Sequence, residues 1–499
     1  MELFIALMPA FIMIGLVIIT RKVLLSLSIG VVVAALIHES FQITTLNYLW
    51  NSFYSIITSL DWYLPIIAFV VLIGGLTSIT SFSGGVKAFA DWAVTKVKTP
   101  IASQLMTWFL GVIICIDDYF NLLVIGEISK PITDRYHVSR AKLAYIIDST
   151  SAPVVIMMPL STWGAYIVGI IGSVFSEVGY QGHSGFSGLV AAIPYQFYPL
   201  SALALIFLMI IFKINIGPMK TFEEGAMNGN DTSKLIDTAV DEVQESKALS
   251  ATHWNLILPV VLLIGVTLFL MAYNANFEGA DFLNQDITIP LFFGGLLAFV
   301  LAFFMALWDK NIKFIKLSIV ASKGLFSMAK SAVAILVLAW MVSGAIQDLG
   351  VGNLVAAYIV DTNISASFMP VILFVIAAFI AFSTGTSWGA FGILLPIAIP
   401  VAMVTNVGFM PVFIAAVLGG AVVGDHASPV SDTTVLSATG AQSHLHAHFI
   451  SQLPYVLISA CIAGIAFVVY GVTQILVLAY LSMIVLLGGF VLMRKQFFK

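Results

Sequence analysis

Two stretches decide how this chain is built: Pro153-Val-Val-Ile-Met-Met-Pro-Leu-Ser-Thr-Trp-Gly-Ala165 and Pro429-Val-Ser-Asp-Thr-Thr-Val-Leu-Ser-Ala-Thr-Gly-Ala441. Without a gap they share Pro153/Pro429, Val154/Val430, Leu160/Leu436, Ser161/Ser437, Gly164/Gly440 and Ala165/Ala441, and each proline follows an aspartate, Asp148 or Asp425. Both copies lie in long apolar surroundings. Proline removes a backbone donor and disfavours helix at the residue before it, so each copy reads as a break in a buried helix.

Composition says what surrounds these breaks. Hydrophobic residues make up 60% of the 499 and charged residues only 9%, against roughly 25% charged in an ordinary soluble domain. A polytopic, all-α membrane protein follows. The opening Met-Glu and the uncharged run Leu3–Ile19 lack a basic n-region, so the run is expected to be a membrane helix and not a signal peptide. Cys115 and Cys461 are far apart in apolar segments and suggest neither a disulfide framework nor a zinc site.

Apolar stretches of spanning length predict about eleven crossings. Two further stretches, about 103–129 and 367–404, are interrupted midway and are expected to be re-entrant hairpins. With the N-terminus outside and the C-terminus cytoplasmic, the positive-inside rule places all 21 Lys and Arg in cytoplasmic segments, including Lys310, Lys313, Lys316, Lys323 and Lys330 in one of them. Five crossings then separate the hairpins, which inverts one half relative to the other. The expected domains are a first inverted repeat over 1–212 with its broken helix at about 140–171, and a cytoplasmic linker over 213–253. A second repeat over 254–470 carries its broken helix at about 409–440, and an extra helix occupies 471–499. The linker mixes lysines with acids such as Glu223 and Asp231 and reads as a solvated connector. Inverted repeats with broken helices at the bilayer midplane are a transporter architecture.

The candidate binding residues gather at the interruptions. Asp117 and Asn121 share one helical face, Asp118 is expected to point away from it, and Asp148, Ser149 and Ser151 precede Pro153. Thr384, Thr386 and Ser387 form a hydroxyl cluster at the second hairpin tip, and Asp425, His426, Ser428, Asp432 and Thr433 surround the second break. A bare carboxylate at membrane depth must be protonated, hydrogen-bonded or matched by a cation, and oxygen ligands suit a hard cation. Na+ at Asp148, Asp425 and Asp432 is therefore expected, alternating with H+. Thr150 and Ser161 read as local backbone bonders, Glu127 as solvated or paired with Lys130, and His444, His446 and His448 as a solvated turn.

Asp117-Asp-Tyr-Phe-Asn121, Asp148-Ser-Thr-Ser-Ala-Pro153 and Gly424-Asp-His-Ala-Ser-Pro-Val-Ser-Asp-Thr-Thr434 together resemble the NhaC sodium/proton antiporter family of the ion transporter superfamily, most clearly over residues 60 to 460. The resemblance implies a scaffold domain, a mobile elevator-like transport domain and a homodimer. By that analogy the site is Asp117, Asn121, Asp148, Ser151, Thr386, Asp425, Ser428 and Asp432. Secondary antiport of Na+ or Li+ against H+ in a bacterial inner membrane is the leading expectation. The expected partners are the lipid bilayer and the transported ions, with no cofactor and no nucleic acid. A Na+- or H+-coupled carrier of an amino acid or small carboxylate, such as malate or lactate, is the second reading, weakened by the lack of a membrane-embedded arginine. No phosphate loop or haem-ligand pair supports an ATP-driven or redox enzyme.

Overall fold

The computed structural model describes the chain except Met1, Arg21, Asp61, 86–87, 90–91, 93–96, 235–250, 279–281, 285, 351–353, 355–364, Val430 and 498–499. Residues 235–250 of the expected linker and most of 350–366, expected to be an external segment, therefore lie outside the described residues, as does the side chain of Glu127. The rest is helical, with one isolated bridge between Lys234 and Ser443. The helices of the first half are α1 (Glu2–Thr20), α2 (Val23–His38), α3 (Thr44–Thr58), α4 (Tyr63–Phe82), α5 (Pro100–Ile113), α6 (Asp118–Arg135), α7 (Arg140–Val155), α8 (Thr162–Glu177), α9 (Gly185–Ala192), α10 (Phe197–Phe212) and α11 (Pro218–Met227). Those of the second are α12 (Trp254–Glu278), α13 (Thr288–Leu307), α14 (Phe314–Met328), α15 (Ala334–Asp348), α16 (Met369–Thr384), α17 (Ser387–Thr405), α18 (Met410–Ala427), α19 (Asp432–Ala441), α20 (Leu445–Thr473) and α21 (Leu476–Phe497).

Among the described residues eight helices are long and apolar enough to cross a bilayer. They become nine if the pair Gly185–Tyr195 and Phe197–Phe212, bent by 49°, is one span. This is a multi-pass membrane protein. Four shorter apolar helices accompany the eight; the expected eleven crossings included stretches such as 140–171 that are divided between two helices. Both arms of the second hairpin, Ala366–Thr384 (α16 with the 3-10 turn before it) and α17, are each long enough to span alone, which a re-entrant reading did not anticipate.

The breaks fall where the local chemistry stops a helix, though not everywhere at the prolines. Pro153 lies inside α7, which runs on to Val155, so the first interruption is Ile156–Ser161 and not the Asp148–Pro153 stretch. Pro153 still removes the donor that the Ser149 carbonyl would use. Pro429, by contrast, lies in the second interruption itself, between Ala427 and Asp432. The ungapped match of the twin stretches therefore pairs positions that are not structural equivalents. The shared device is the serine that restarts each helix: Ser161 accepts the Gly164 N–H, and Ser431 accepts the Thr433 and Thr434 N–H groups.

Each interruption is tied to its own hairpin tip in the same way. The N–H of Thr162, first in α8, donates to the Ile116 carbonyl at 2.9 Å, and the N–H of Asp432, first in α19, donates to the Gly385 carbonyl at 3.4 Å. The second arms then exchange partners across the halves, since α6 packs on α19 and α17 packs on α8. The α6–α19 contact is backbone to backbone. A Cβ on Gly126 would press on the Gly440 backbone, and one on Gly440 would come 2.5 Å from the Leu122 carbonyl oxygen. Gly126→Leu is expected to cost about 1–3 kcal/mol through overpacking, read as a lower thermal midpoint of the purified protein. On α18, Gly420 and Gly424 likewise meet the α16 carbonyls of Phe374 and Ala378, a small-xxx-small approach suited to membranes.

Two expectations about charge are corrected. The stretch holding Lys323 and Lys330, expected in a cytoplasmic segment, is helical: α14 packs along α4, with Gly324 and Met328 against Gly74 in mid-helix. Lys330 follows in a π-helical turn, Ala329–Val333. Lys323 and Lys330 thus lie beside a candidate span.

The beginning of the linker is also no solvated connector, because it caps α7. Glu223 Oε1 accepts the Ser139 N–H at 2.7 Å, Asp231 Oδ2 accepts the Arg140 N–H at 2.9 Å and Ser233 Oγ accepts the Ala141 N–H at 3.0 Å. Ser139 Oγ accepts the Lys142 N–H. Four N–H groups at the start of α7 that the helix leaves without partners are all satisfied, three of them by the linker. Glu223 also pairs with Lys142 at 3.1 Å, both buried.

Candidate functional site

Every residue of α7 is buried, as is nearly all of α18, so the side chains they present to one another work in a water-poor interior. At the first tip, Asp117 is the N-cap of α6: Oδ1 accepts the Phe120 N–H at 2.9 Å and Oδ2 accepts the Thr162 hydroxyl at 3.0 Å. Asn121 Nδ2 donates to the carbonyls of Gly111 and Ile114 at 2.9 and 2.6 Å, which closes the hairpin. Asp118, expected to point away from this group, is buried and lies within electrostatic reach of Asp117, Asp432 and Asp425. The Ser151 hydroxyl donates to the Asp118 carbonyl at 3.1 Å. Ser149, on the same helix, is also buried.

The second break holds the richest oxygen cluster. Asp425 Oδ2 accepts the Ser387 hydroxyl at 2.7 Å, while Oδ1 accepts the Ser431 hydroxyl in a close hydrogen bond and lies 3.4 Å from Thr433 Oγ1. Thr433 and Ser431 hydroxyls are 2.9 Å apart. Ser387 opens α17 and Ser431 caps α19, so hairpin tip and helix break converge on one carboxylate. Thr384 bonds the carbonyls of Ala381 and Thr386 and shapes the tip; Thr386 is half-buried, and Ser428, at the end of α18, is buried. Asp432 accepts the Tyr119 hydroxyl and the Thr433 N–H.

Asp148 belongs to a different set. Gln452 Nε2 donates to its Oδ2 at 2.7 Å, and His448 Nε2 lies 3.3 Å from the same oxygen and 2.8 Å from Ser437 Oγ. His448, read from sequence as part of a solvated turn, is completely buried on α20. His426 is held by Tyr198 at 2.9 Å through Nδ1. Asp148 thus has side-chain partners of its own, whereas Asp425 and Asp432 share Thr433, through its hydroxyl and its N–H. Among the described residues no three His, Cys, Asp or Glu groups converge closely enough to hold a metal ion. The expected three-aspartate Na+ site is not assembled; the hydroxyl-rich surroundings of Asp425 offer the oxygen set that a hard cation needs.

Sequence reasoning passed over Thr162, Tyr119, Tyr198 and Gln452, read His448 as part of a solvated turn, and noted Ser431 only as one of the polar residues that the second Pro-Val stretch adds. Ser431 carried a visible signal, since a serine directly before Asp432-Thr-Thr434 and just after the Ser428-Pro429 break is placed as a helix N-cap. The others reach the site from distant helices and carry no local signal.

The profile of the Na+/H+ antiporter family matches residues 154–472, about two thirds of the chain, including both helix interruptions and the Asp425 cluster. This chain belongs to the Na+/H+ antiporter family. An uncharacterized protein of Haemophilus influenzae is 36% identical to this antiporter-family chain over 485 residues, 94% of the chain and 91% of that relative. Among solved structures, the YdaH transporter of Alcanivorax borkumensis has a similar fold, with a TM-score of 0.54 at 15% identity, covering 86% of this chain and 89% of that one. The family and the fold make this antiporter-family member a secondary transporter.

Proposed function

We propose that the protein exchanges Na+ or Li+ for H+, with Asp425 as the carboxylate for which the two ions compete. The observation that carries this reading is the Asp425 cluster: a buried carboxylate met by the hydroxyls of Ser387, Ser431 and Thr433. No lysine or arginine among the described residues pairs with it. A hydroxyl can donate to the carboxylate when no cation is present and turn a lone pair toward a cation when one arrives. An ammonium donor, which has no lone pair, cannot make that reversal. A buried carboxylate without a counter-charge carries its charge only at high cost, so a cation and a proton serve it as alternatives. That mutual exclusion is what couples their fluxes.

Asp117, Asp118 and Asp432 add acidic field around the cluster. The two tip-to-break ties, Ile116–Thr162 and Gly385–Asp432, support a reading in which each hairpin and its broken helix move together during alternating access. Purified protein in liposomes provides the test. An imposed Na+ gradient should drive proton movement that Li+ supports, in a pH window where the carboxylate can exchange its proton. No proton movement with either ion from mildly acid to alkaline pH, together with uptake of an amino or organic acid, would replace this reading by the coupled-carrier one.

A further inference from the structure

The amide of Gln452 joins the two broken helices. Its Nε2 donates to Asp148 Oδ2 at 2.7 Å and to the His426 carbonyl at 2.9 Å, and both partners are acceptors. The nitrogen, not the oxygen, must therefore face them. The His426 carbonyl belongs to the last turn of α18, where helix carbonyls lack intrahelical donors, and Gln452 supplies one. One turn earlier on the same face of α20, His448 approaches the same Asp148 oxygen. Gln452 thus donates to Oδ2 with His448 Nε2 3.3 Å from the same oxygen, while Asp148 Oδ1 is buried without a hydrogen-bond partner.

We propose that Gln452 is the positioning residue of the transport site: one amide nitrogen sets the distance between the carboxylate of α7 and the end of α18, whose preceding residue is Asp425. It turns Asp148 so that Oδ1 alone is available. Gln452 touches neither Asp425 nor its hydroxyls in this arrangement; it acts through Asp148 and through the backbone next to Asp425. In its functional part the proposal rests on the cation-transport reading above.

Two experiments test it. The first needs no cargo: thermal midpoints of Gln452→Leu, Asp148→Asn and the double variant. Because the two side chains act through one hydrogen bond, the double variant should fall short of the sum of the singles, as coupled neighbours do; additive shifts would overturn the link. The second follows cation-driven proton flux in liposomes. Gln452→Leu should raise the half-saturating Na+ concentration at least tenfold with a smaller change in maximal rate, whereas Leu457→Ala, on the exposed side of α20, should leave both unchanged. Unchanged half-saturation in Gln452→Leu overturns the functional role. If Gln452→Leu does not purify as a folded protein, Gln452→Met, closer in shape and equally without a donor, takes its place in both experiments. A wild-type protein that moves no protons defeats the antiport reading, and the cargo-free cycle still decides the link.

Discussion

Asp425→Asn is expected to reduce cation-driven proton flux to the level of empty liposomes while the protein still folds. The amide keeps the size of the carboxyl group; its oxygen can accept from one of Ser387 and Ser431, which meet different carboxylate oxygens, and its NH2 can donate to the other hydroxyl once that hydroxyl turns, so the contacts that hold the hairpin tip to the second break are largely kept. What it loses is the charge that a cation needs and the proton that the carboxyl group exchanges. The loss should therefore appear in transport at every pH and not in the thermal midpoint. Ser387→Ala should be milder, because it removes one of several oxygens. Flux in Asp425→Asn comparable to wild type would take this residue out of the mechanism.

The largest expected effect on stability lies at the other end of α7. Glu223→Leu removes the acid that pairs with Lys142, whose side chain is only 3% exposed, and it also removes the acceptor of the Ser139 N–H. Breaking a buried ion pair by deleting one partner costs about 3–5 kcal/mol, since the other charge stays buried; here Asn215, which accepts from Lys142 at 2.9 Å, compensates only in part. The neighbouring pair Lys220–Glu224, at 4.0 Å and well exposed, is a built-in comparison, and Glu224→Ala should cost about 0–1 kcal/mol. Adding Lys142→Met to Glu223→Leu should recover part of the loss. Denaturation of the purified variants measures all three, and a Glu223→Leu protein as stable as Glu224→Ala would show that the linker does not hold α7.

The contrast between these two residues shows what could be read from the chain. Asp117, Asp148 and Asp425 announce themselves because a carboxylate in an apolar stretch is too costly to be accidental, and the glycine at the second hairpin tip, Gly385, adopts a φ of 70° that favours glycine. Breaks in helices are likewise written locally, in glycine, proline and capping serine. Their exact positions are not: Pro153 is accommodated inside α7, where the surrounding helices keep the segment helical, so proline alone misplaced the first interruption.

Residues whose meaning comes from a distant partner were beyond a linear reading. Glu223 looks like any acid in a polar linker until Lys142 and the start of α7 are beside it. His448 and Gln452 look like polar residues near a helix start, and become site residues only when α20 is laid against Asp148, some three hundred positions earlier in sequence. Lys323 and Lys330 misled in the opposite sense. Their charge placed them in a cytoplasmic segment, but they ride on a helix packed along α4 and on the π-helical turn after it, and a long flexible side chain lets a lysine tolerate such a position by reaching toward water.

The central claim is that one carboxylate, Asp425, serves both ions in turn. Proton release on cation binding measures this most directly: Na+ is added to the purified protein in weakly buffered detergent solution and the pH change is recorded, without a membrane or a gradient. The wild type should release protons on addition of Na+ or Li+, saturably, and Asp425→Asn should release none. Saturable Na+ binding with no proton release, or an undiminished release in Asp425→Asn, would contradict the account.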